Sequence, residues 1–284
     1  MTAPALRFLE IRGLRLAVWE WPGEGPPLLF AHATGFHARC WDQIIRALPG
    51  HRAIALDFRG HGRSDKPAPP YHWRDFGVDL ASAAEALGLR GALGIGHSMG
   101  GHSIALASAL RPETFRALLL IDPTIFAPEY YGRPQRHDPS FILKRRNAWK
   151  SWEEMYDRFR SRPPFAQWDA AVLRDYCEFG VLPEGPDGAC VLACPPQVEA
   201  AIYAASNAPE ADLYSEIPGV AQPVTVLRGG RPWSLETFDL TASPTWPGLA
   251  ARFPRARDVL LEGRNHYIPM ESPDLVAREI AALF

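Results

Sequence analysis

Four short apolar runs, at 27–31, 52–56, 92–95 and 117–121, are bounded by Gly, Pro or Asp and separated by stretches of helical spacing at 40–48, 73–87 and 100–110. No other feature of the chain narrows its fold so far. A strand that is apolar throughout must be covered on both faces, and an intervening helix supplies the crossover that two parallel strands need. The alternation therefore predicts a mainly parallel sheet with helices on both faces. Residues 6–11 and 14–20 alternate apolar and polar around Gly13, which predicts a hairpin ahead of that sheet. Two more strands are expected at 224–227 and 258–261, and a closing helix at 273–283.

Between residues 127 and 220 the rhythm stops. No convincing buried strand is legible there, and Trp, Tyr, Phe, Arg and Pro are abundant. Ser151-Trp152-Glu153-Glu154 is a capping box that opens a helix, and 169–179 has the spacing of another. A helical insert between two parallel strands is well placed to cover the strand ends where ligands bind. The expected organisation is a core at 1–126, a helical cap insert at 127–220, and the rest of the core at 221–284.

Composition excludes several classes of function. With 284 residues, 47% apolar and 22% charged, the chain can bury a full core as an ordinary soluble protein. A formal net charge of −2 gives no reason to expect nucleic acid or an anionic membrane as a partner. No apolar run approaches the ~18 residues of a membrane span. The N-terminus lacks a signal peptide's basic start and long apolar run, so the expected location is cytoplasmic. Cys40, Cys177, Cys190 and Cys194 form no C-x-x-C and have no histidine nearby to complete a zinc set, so free thiols are expected. The oligomeric state is open, a homodimer included.

The predicted strand at 92–95 runs into Gly96-His97-Ser98-Met99-Gly100, and a predicted helix follows. A serine hydroxyl is a poor nucleophile unless a base, an orienting acid and an oxyanion site surround it. A strand-to-helix turn tight enough to need glycine on both sides lifts the serine out of the sheet toward such partners. Ser98 is thus a nucleophile candidate. In an open α/β sheet the partners should lie at the carboxyl ends of the strands. Those ends carry His32-Ala33-Thr34-Gly35, then Asp57-Phe58-Arg59-Gly60-His61-Gly62-Arg63-Ser64, Asp122-Pro123, Gly229-Gly230-Arg231 and Asn265-His266.

Taken together these segments resemble the α/β-hydrolase superfamily. His32-Ala33-Thr34-Gly35 is similar to its H-G-x-G oxyanion loop, the 57–64 segment to its D-x-R-G-x-G-x-S turn, and 96–100 to its nucleophile elbow. His266 sits where the family places its catalytic histidine, and the motifs keep the family's order across residues 27–270. The resemblance implies an eight-stranded α/β-hydrolase fold with a helical cap after the sixth strand. It also implies Ser98 as nucleophile, His266 as base, and the Thr34 and Met99 amides as oxyanion hole. Ala33 stands where the family usually has glycine, which leaves the choice between the Ala33 and Thr34 amides open. Asp57 and Arg59 read as structural.

The acid departs from the family pattern. Its usual place is the loop after the strand at 224–227, which here reads Gly229-Gly230-Arg231-Pro232-Trp233-Ser234 with no carboxylate before Glu236 and Asp239. Some members carry the acid one strand earlier, where this chain has Asp122, and Asp122 is the preferred assignment over Glu236 and Asp239. Candidate substrate contacts are His32 and Ala33, then Trp149 and Trp168 in the insert, and Tyr267 beside His266. The implied activity is that of a serine hydrolase of a small-molecule carboxylic ester or lactone, with no metal or organic cofactor needed. A carbon–carbon bond hydrolase of keto acids is the rival enzyme, and it requires an inward-pointing arginine among Arg133, Arg145, Arg146 and Arg162. A ligand-binding member of the fold without turnover is the rival outside catalysis.

Overall fold

The computed structural model describes residues 3–134, 140–184, 189–233 and 239–284. It opens on the expected hairpin, β1 (Ala5–Ile11) and β2 (Leu14–Trp21), with Ile11 paired to Leu14. The link Arg12-Gly13 has φ of 51° and 77°, a doubly left-handed turn whose twist matches that of the strands it joins. Next come β3 (Gly25–Ala31), α1 (Asp42–Arg46), β4 (His51–Leu56), α2 (Trp73–Ala86), β5 (Ala92–His97), α3 (Met99–Leu110) and β6 (Phe115–Ile121).

The stretch between β6 and the next strand of the main sheet holds α4 (Ser140–Leu143), α5 (Trp152–Phe159), α6 (Ala170–Phe179) and α7 (Pro196–Ala204). Ser151 caps α5 by accepting the Glu154 N–H at 3.4 Å, while the Glu154 carboxylate turns to the Lys150 N–H at 2.9 Å. Only half of the expected capping box is formed. Asp169 caps α6 through the N–H groups of Ala171 and Val172. One expectation is corrected here, because the stretch also contains strands. β7 (Ala148–Trp149), β8 (Val181–Pro183) and β9 (Cys190–Leu192) form a small antiparallel sheet in the order β7-β9-β8. Strands of two or three residues are too short to show the alternation by which a strand is recognised in sequence.

The main sheet is completed by β10 (Val224–Gly229) and β11 (Ala256–Leu261), followed by α8 (Ile268–Glu271) and α9 (Pro273–Ala281). Its eight strands run in the order β1-β2-β4-β3-β5-β6-β10-β11, parallel from β4 to β11 with β2 antiparallel to β4. Strand parity sorts the core into two layers. Leu29 and Ala31 of β3 pack with Phe76, Leu80 and Ile104 of α2 and α3, whereas Leu28 and Phe30 pack with Ile44, Ile45 and Ile280 of α1 and α9. A third apolar cluster joins Trp149, Met155, Trp168 and Tyr176 to Phe36, which follows β3, and to Tyr267 and Met270, which follow β11. The stretch between β6 and β10 thereby packs over the carboxyl ends of the strands. No helix among the described residues is long and apolar enough to cross a membrane, and the four cysteines are free.

Five histidines among the described residues are wholly buried. Burial lowers His32 to about 3, His37 and His102 to about 4, and His61 and His97 well below the usual range. Each is neutral in the fold, but protonates below about pH 6.5 once the chain unfolds. Folded values below the unfolded one mean that the stability is complete above pH ~6.5 and is lost as pH falls toward the folded values. Urea midpoints should therefore drop steeply from pH ~6.5 to pH ~4, with unfolding at pH ~5 taking up close to five protons. A flat stability profile over that range would show that the rings are charged in the native protein.

Candidate active site

β5 ends at His97 and α3 begins at Met99, so Ser98 alone makes the turn, at φ 56° and ψ −119°. A side chain at positive φ is strained by roughly 1–3 kcal/mol and persists only where the surroundings fix it. The flanking glycines explain how the turn closes. A Cβ on Gly96 would lie 2.3 Å from the Gly100 carbonyl oxygen, and one on Gly100 would lie 2.0 Å from that of Ala31. The absence of side chains there presses the start of α3 against the loop that follows β3.

His266 arrives in the loop between β11 and α8, and its Nε2 lies 3.0 Å from Ser98 Oγ. On the other side of the ring, Nδ1 lies 2.6 Å from Asp122 Oδ2. Asp122 is fully buried at φ 44°, immediately after β6. Its second oxygen accepts the Gly229 N–H at 2.9 Å and the Ser243 hydroxyl at 2.6 Å. Asp239, the rival carboxylate, is turned elsewhere: it pairs with Arg231 at 2.6 Å and accepts the N–H and hydroxyl of Thr241. Glu236 lies outside the described residues. His97 donates Nε2–H to the His266 carbonyl at 2.8 Å, and the His266 N–H donates to Thr241 O at 2.9 Å, so His266 is held by its backbone too.

Thr34 and Met99 are neighbours, the Thr34 hydroxyl donating to Met99 Sδ at 3.4 Å. Neither amide N–H meets an acceptor among the described residues, and the Ala33 amide is in the same position. His32 donates from Nδ1 to Ala33 O at 2.8 Å and accepts the Phe58 N–H on Nε2 at 3.1 Å. It is buried beneath the loop, and neither His32 nor Ala33 is among the residues bordering the two cavities beside Ser98 and Tyr267. Asp57 accepts the N–H groups of Ala38 and Arg63, while Arg59 pairs with Asp75 and Asp79. One residue at the site escaped the sequence reading. Thr124 Oγ1 lies 3.0 Å from Ser98 Oγ, and the Thr124 N–H donates to the Ser98 carbonyl at 3.1 Å. Its signal was its place two residues after Asp122, across a proline.

Ser98, Thr124 and His266 border a narrow cavity of about 70 Å³ with mostly apolar walls, among them Trp73 and Phe126. A wider one of about 510 Å³ shares the walls Tyr203, Asp239 and Leu240 with it, and is bordered by Trp149, Trp168 and Tyr267. Arg145 also reaches inward to this chamber, where it pairs with buried Glu199 and donates to the Tyr176 hydroxyl at 3.3 Å. Burial pushes the Glu199 carboxyl up against the opposing pull of Arg145. A Cβ on Gly35 would lie 2.7 Å from Glu199, so the pair sits directly on the loop after β3.

The fold is that of an α/β-hydrolase, and Ser98, His266 and Asp122 are in contact at the carboxyl ends of its strands. Residues 28–279 match the family described as Alpha/beta hydrolase family, and the chain belongs to it. It is 28% identical over 279 residues to 2-(acetamidomethylene)succinate hydrolase of Mesorhizobium japonicum, covering 96% of this chain and 93% of that one. A shorter similarity, 43% over 96 residues, links it to a non-heme chloroperoxidase of Streptomyces lividans, covering 33% of this chain and 35% of that protein. Among solved structures, E-2-(acetamidomethylene)succinate hydrolase superposes with a TM-score of 0.76 at 24% identity, covering 99% of this chain and 98% of that one.

Two expectations follow from the geometry. Asp122→Asn should lower kcat on a nitrophenyl ester by about four orders of magnitude, because only a carboxylate holds the imidazole in the needed tautomer. Asp239→Asn should cost far less, and the opposite order would move the acid to Asp239. Thr124→Val, which keeps the shape and removes the hydroxyl, should lower kcat by roughly tenfold with little change in KM, as expected for a lost hydrogen bond to the nucleophile. Thr124→Ser should restore the rate; failure to do so would assign the position to packing.

Proposed function

We propose that this chain is a serine hydrolase that cleaves a carboxylic ester or lactone through an acyl-enzyme. The observation that carries the proposal is the unbroken line of contacts from Ser98 Oγ through His266 to Asp122, at 3.0 and 2.6 Å. In this reading His266 takes the Ser98 proton as the hydroxyl attacks the carbonyl. The amides of Met99 and Thr34 receive the oxyanion, helped by the positive end of α3. His266 then gives its proton to the leaving alcohol, and a water activated by the same ring releases the acid. Asp122 holds the imidazolium through both steps. In every proton transfer the His266 ring is either the donor or the acceptor. Residues 127–220 act as a cap that carries the substrate-facing walls Trp149 and Trp168, with Tyr267 completing the chamber from the core.

A second reading, carbon–carbon cleavage of a keto acid, is favoured by one observation: of the four arginines it could use, Arg145, Arg146 and Arg162 border the chamber. Arg145 and Arg146 are already paired, with Glu199 and Glu154. A substrate carboxylate that captured Arg145 would strand a buried anion, a change that costs about 3–5 kcal/mol. Ester or lactone hydrolysis needs no cation for its chemistry, whether or not Arg162 holds part of the substrate, and is the preferred reading. The test is a stopped-flow record of nitrophenol release from 4-nitrophenyl acetate. A burst equal to the enzyme concentration is expected, absent in Ser98→Ala. Turnover that survives in Ser98→Ala would overturn the proposal.

A further inference from the structure

The wide chamber is unusual for its charge. Four arginines and two carboxylates border it, in a chain whose formal net charge is −2. Most of these charges are already balanced. Arg145 is paired with Glu199, Arg146 with Glu154 at 2.8 Å, and Asp239 with Arg231 at 2.6 Å. Nearby acids are engaged as well, Asp157 by Arg160 and Glu178 by Arg174. Arg158 and Arg162 are what remains, two cations on the chamber wall with no ion-pair partner among the described residues.

Their placement is not that of a neutral solvated face. Arg158 lies in the last turn of α5, and the chain continues in a tight turn, Arg162 N–H to Phe159 O at 2.9 Å. Both residues border the same chamber, where two like charges close together repel unless an anion answers them. Phe159 lies between them on the same wall and stacks on Phe165, with centroids 4.3 Å apart and planes within 4°. Arg158 and Arg162 thus border, together with the stacked Phe159 and Phe165, one chamber of about 510 Å³. A planar guanidinium fork matches a carboxylate through two parallel hydrogen bonds, better than any neutral group.

We propose that this wall binds a carboxylate on the substrate, so that the natural substrate is an anionic ester or lactone with an apolar body. The assignment of reaction rests on the serine-hydrolase reading above; the assignment of binding does not. Arg158 and Arg162 are exposed, so each contact is weakened by solvent and by salt. The expected preference is correspondingly modest, about tenfold for the pair together.

The experiment compares 4-nitrophenyl hydrogen glutarate with 4-nitrophenyl pentanoate, two esters that differ in whether the acyl chain ends in a carboxylate or a methyl. The ratio of kcat/KM should favour the glutarate by about tenfold, and should collapse toward one in R158Q/R162Q and in roughly 0.5 M NaCl. Because the ratio is taken on one protein, loss of folded enzyme cannot mimic the result. A wild-type ratio of one or below, or a ratio unchanged in R158Q/R162Q, overturns the proposal even if the nitrophenol burst is seen. In parallel, Ser98→Ala is titrated calorimetrically with glutarate and with inorganic phosphate. Glutarate binding that R158Q/R162Q abolishes supports the carboxylate site even if neither ester is hydrolysed, which would sink the reaction and not the site. Phosphate binding as tight as glutarate overturns the carboxylate assignment.

Discussion

The buried carboxylate of Asp122 ties together more of this molecule than any other group. It stands at the end of β6, and its oxygens reach His266, the Gly229 N–H at the end of β10, and the Ser243 hydroxyl. Four segments far apart in sequence are thereby fixed around one side chain. In the proposed mechanism Asp122 is the acid, and the loop after β10 takes a different part. Gly229 donates to Asp122, and its bare Cα lets the loop before His266 approach. A Cβ there would lie 2.9 Å from the Asn265 carbonyl oxygen. With the acid at Asp122, as proposed, the neighbouring loop has to supply donors to that carboxylate.

The elbow depends on this frame. Ser98 and Asp122 are both non-glycine residues at positive φ, each costing roughly 1–3 kcal/mol. The backbone contacts that hold them are shared. Ser98 N–H donates to Ile121 O, and the Ser98 carbonyl receives the N–H groups of Gly101, His102 and Thr124, while Asp122 N–H donates to Leu227 O. Hydrogen bonds of about 1 kcal/mol each, in that number, are enough to over-determine both strained residues. Since the two strained residues brace one another through 121 and 124, neither end of the Ser98–His266–Asp122 line can relax alone.

The sheet was legible in the sequence because its strands are buried on both faces, and continuous apolar runs between Gly, Pro and Asp have few other readings. The strand-end rule then brought Ser98, His266 and Asp122 forward, and the structure places the three in contact. What stayed hidden shares a physical cause. β7, β8 and β9 are too short for periodicity, and the β7–β9 pairing joins residues about 40 positions apart in the chain. The Arg145–Glu199 pair spans 54 positions, and nothing local distinguishes that arginine from Lys144 or Arg146. Thr124 owes its place to a bend at Asp122 and Pro123 that only the folded backbone defines. Local chemistry writes elements and their ends into the sequence; long-range partners of single polar side chains are not written there.

Burial of the histidines links stability to chemistry at the same site. The rings of His97 and His266 lie 4.9 Å apart, and the proposed mechanism makes His266 an imidazolium twice per cycle. Were His97 charged as well, the repulsion would be about 3 kcal/mol at an effective dielectric constant near 20, a loss of more than a hundredfold in rate. Burial prevents this by keeping His97 neutral, with its Nε2–H committed to the His266 carbonyl. The desolvation that makes the fold sensitive to acid is therefore also what keeps a second positive charge away from the ring that the proposed mechanism charges. A substitution that let water reach His97 would relieve the first effect only by bringing on the second.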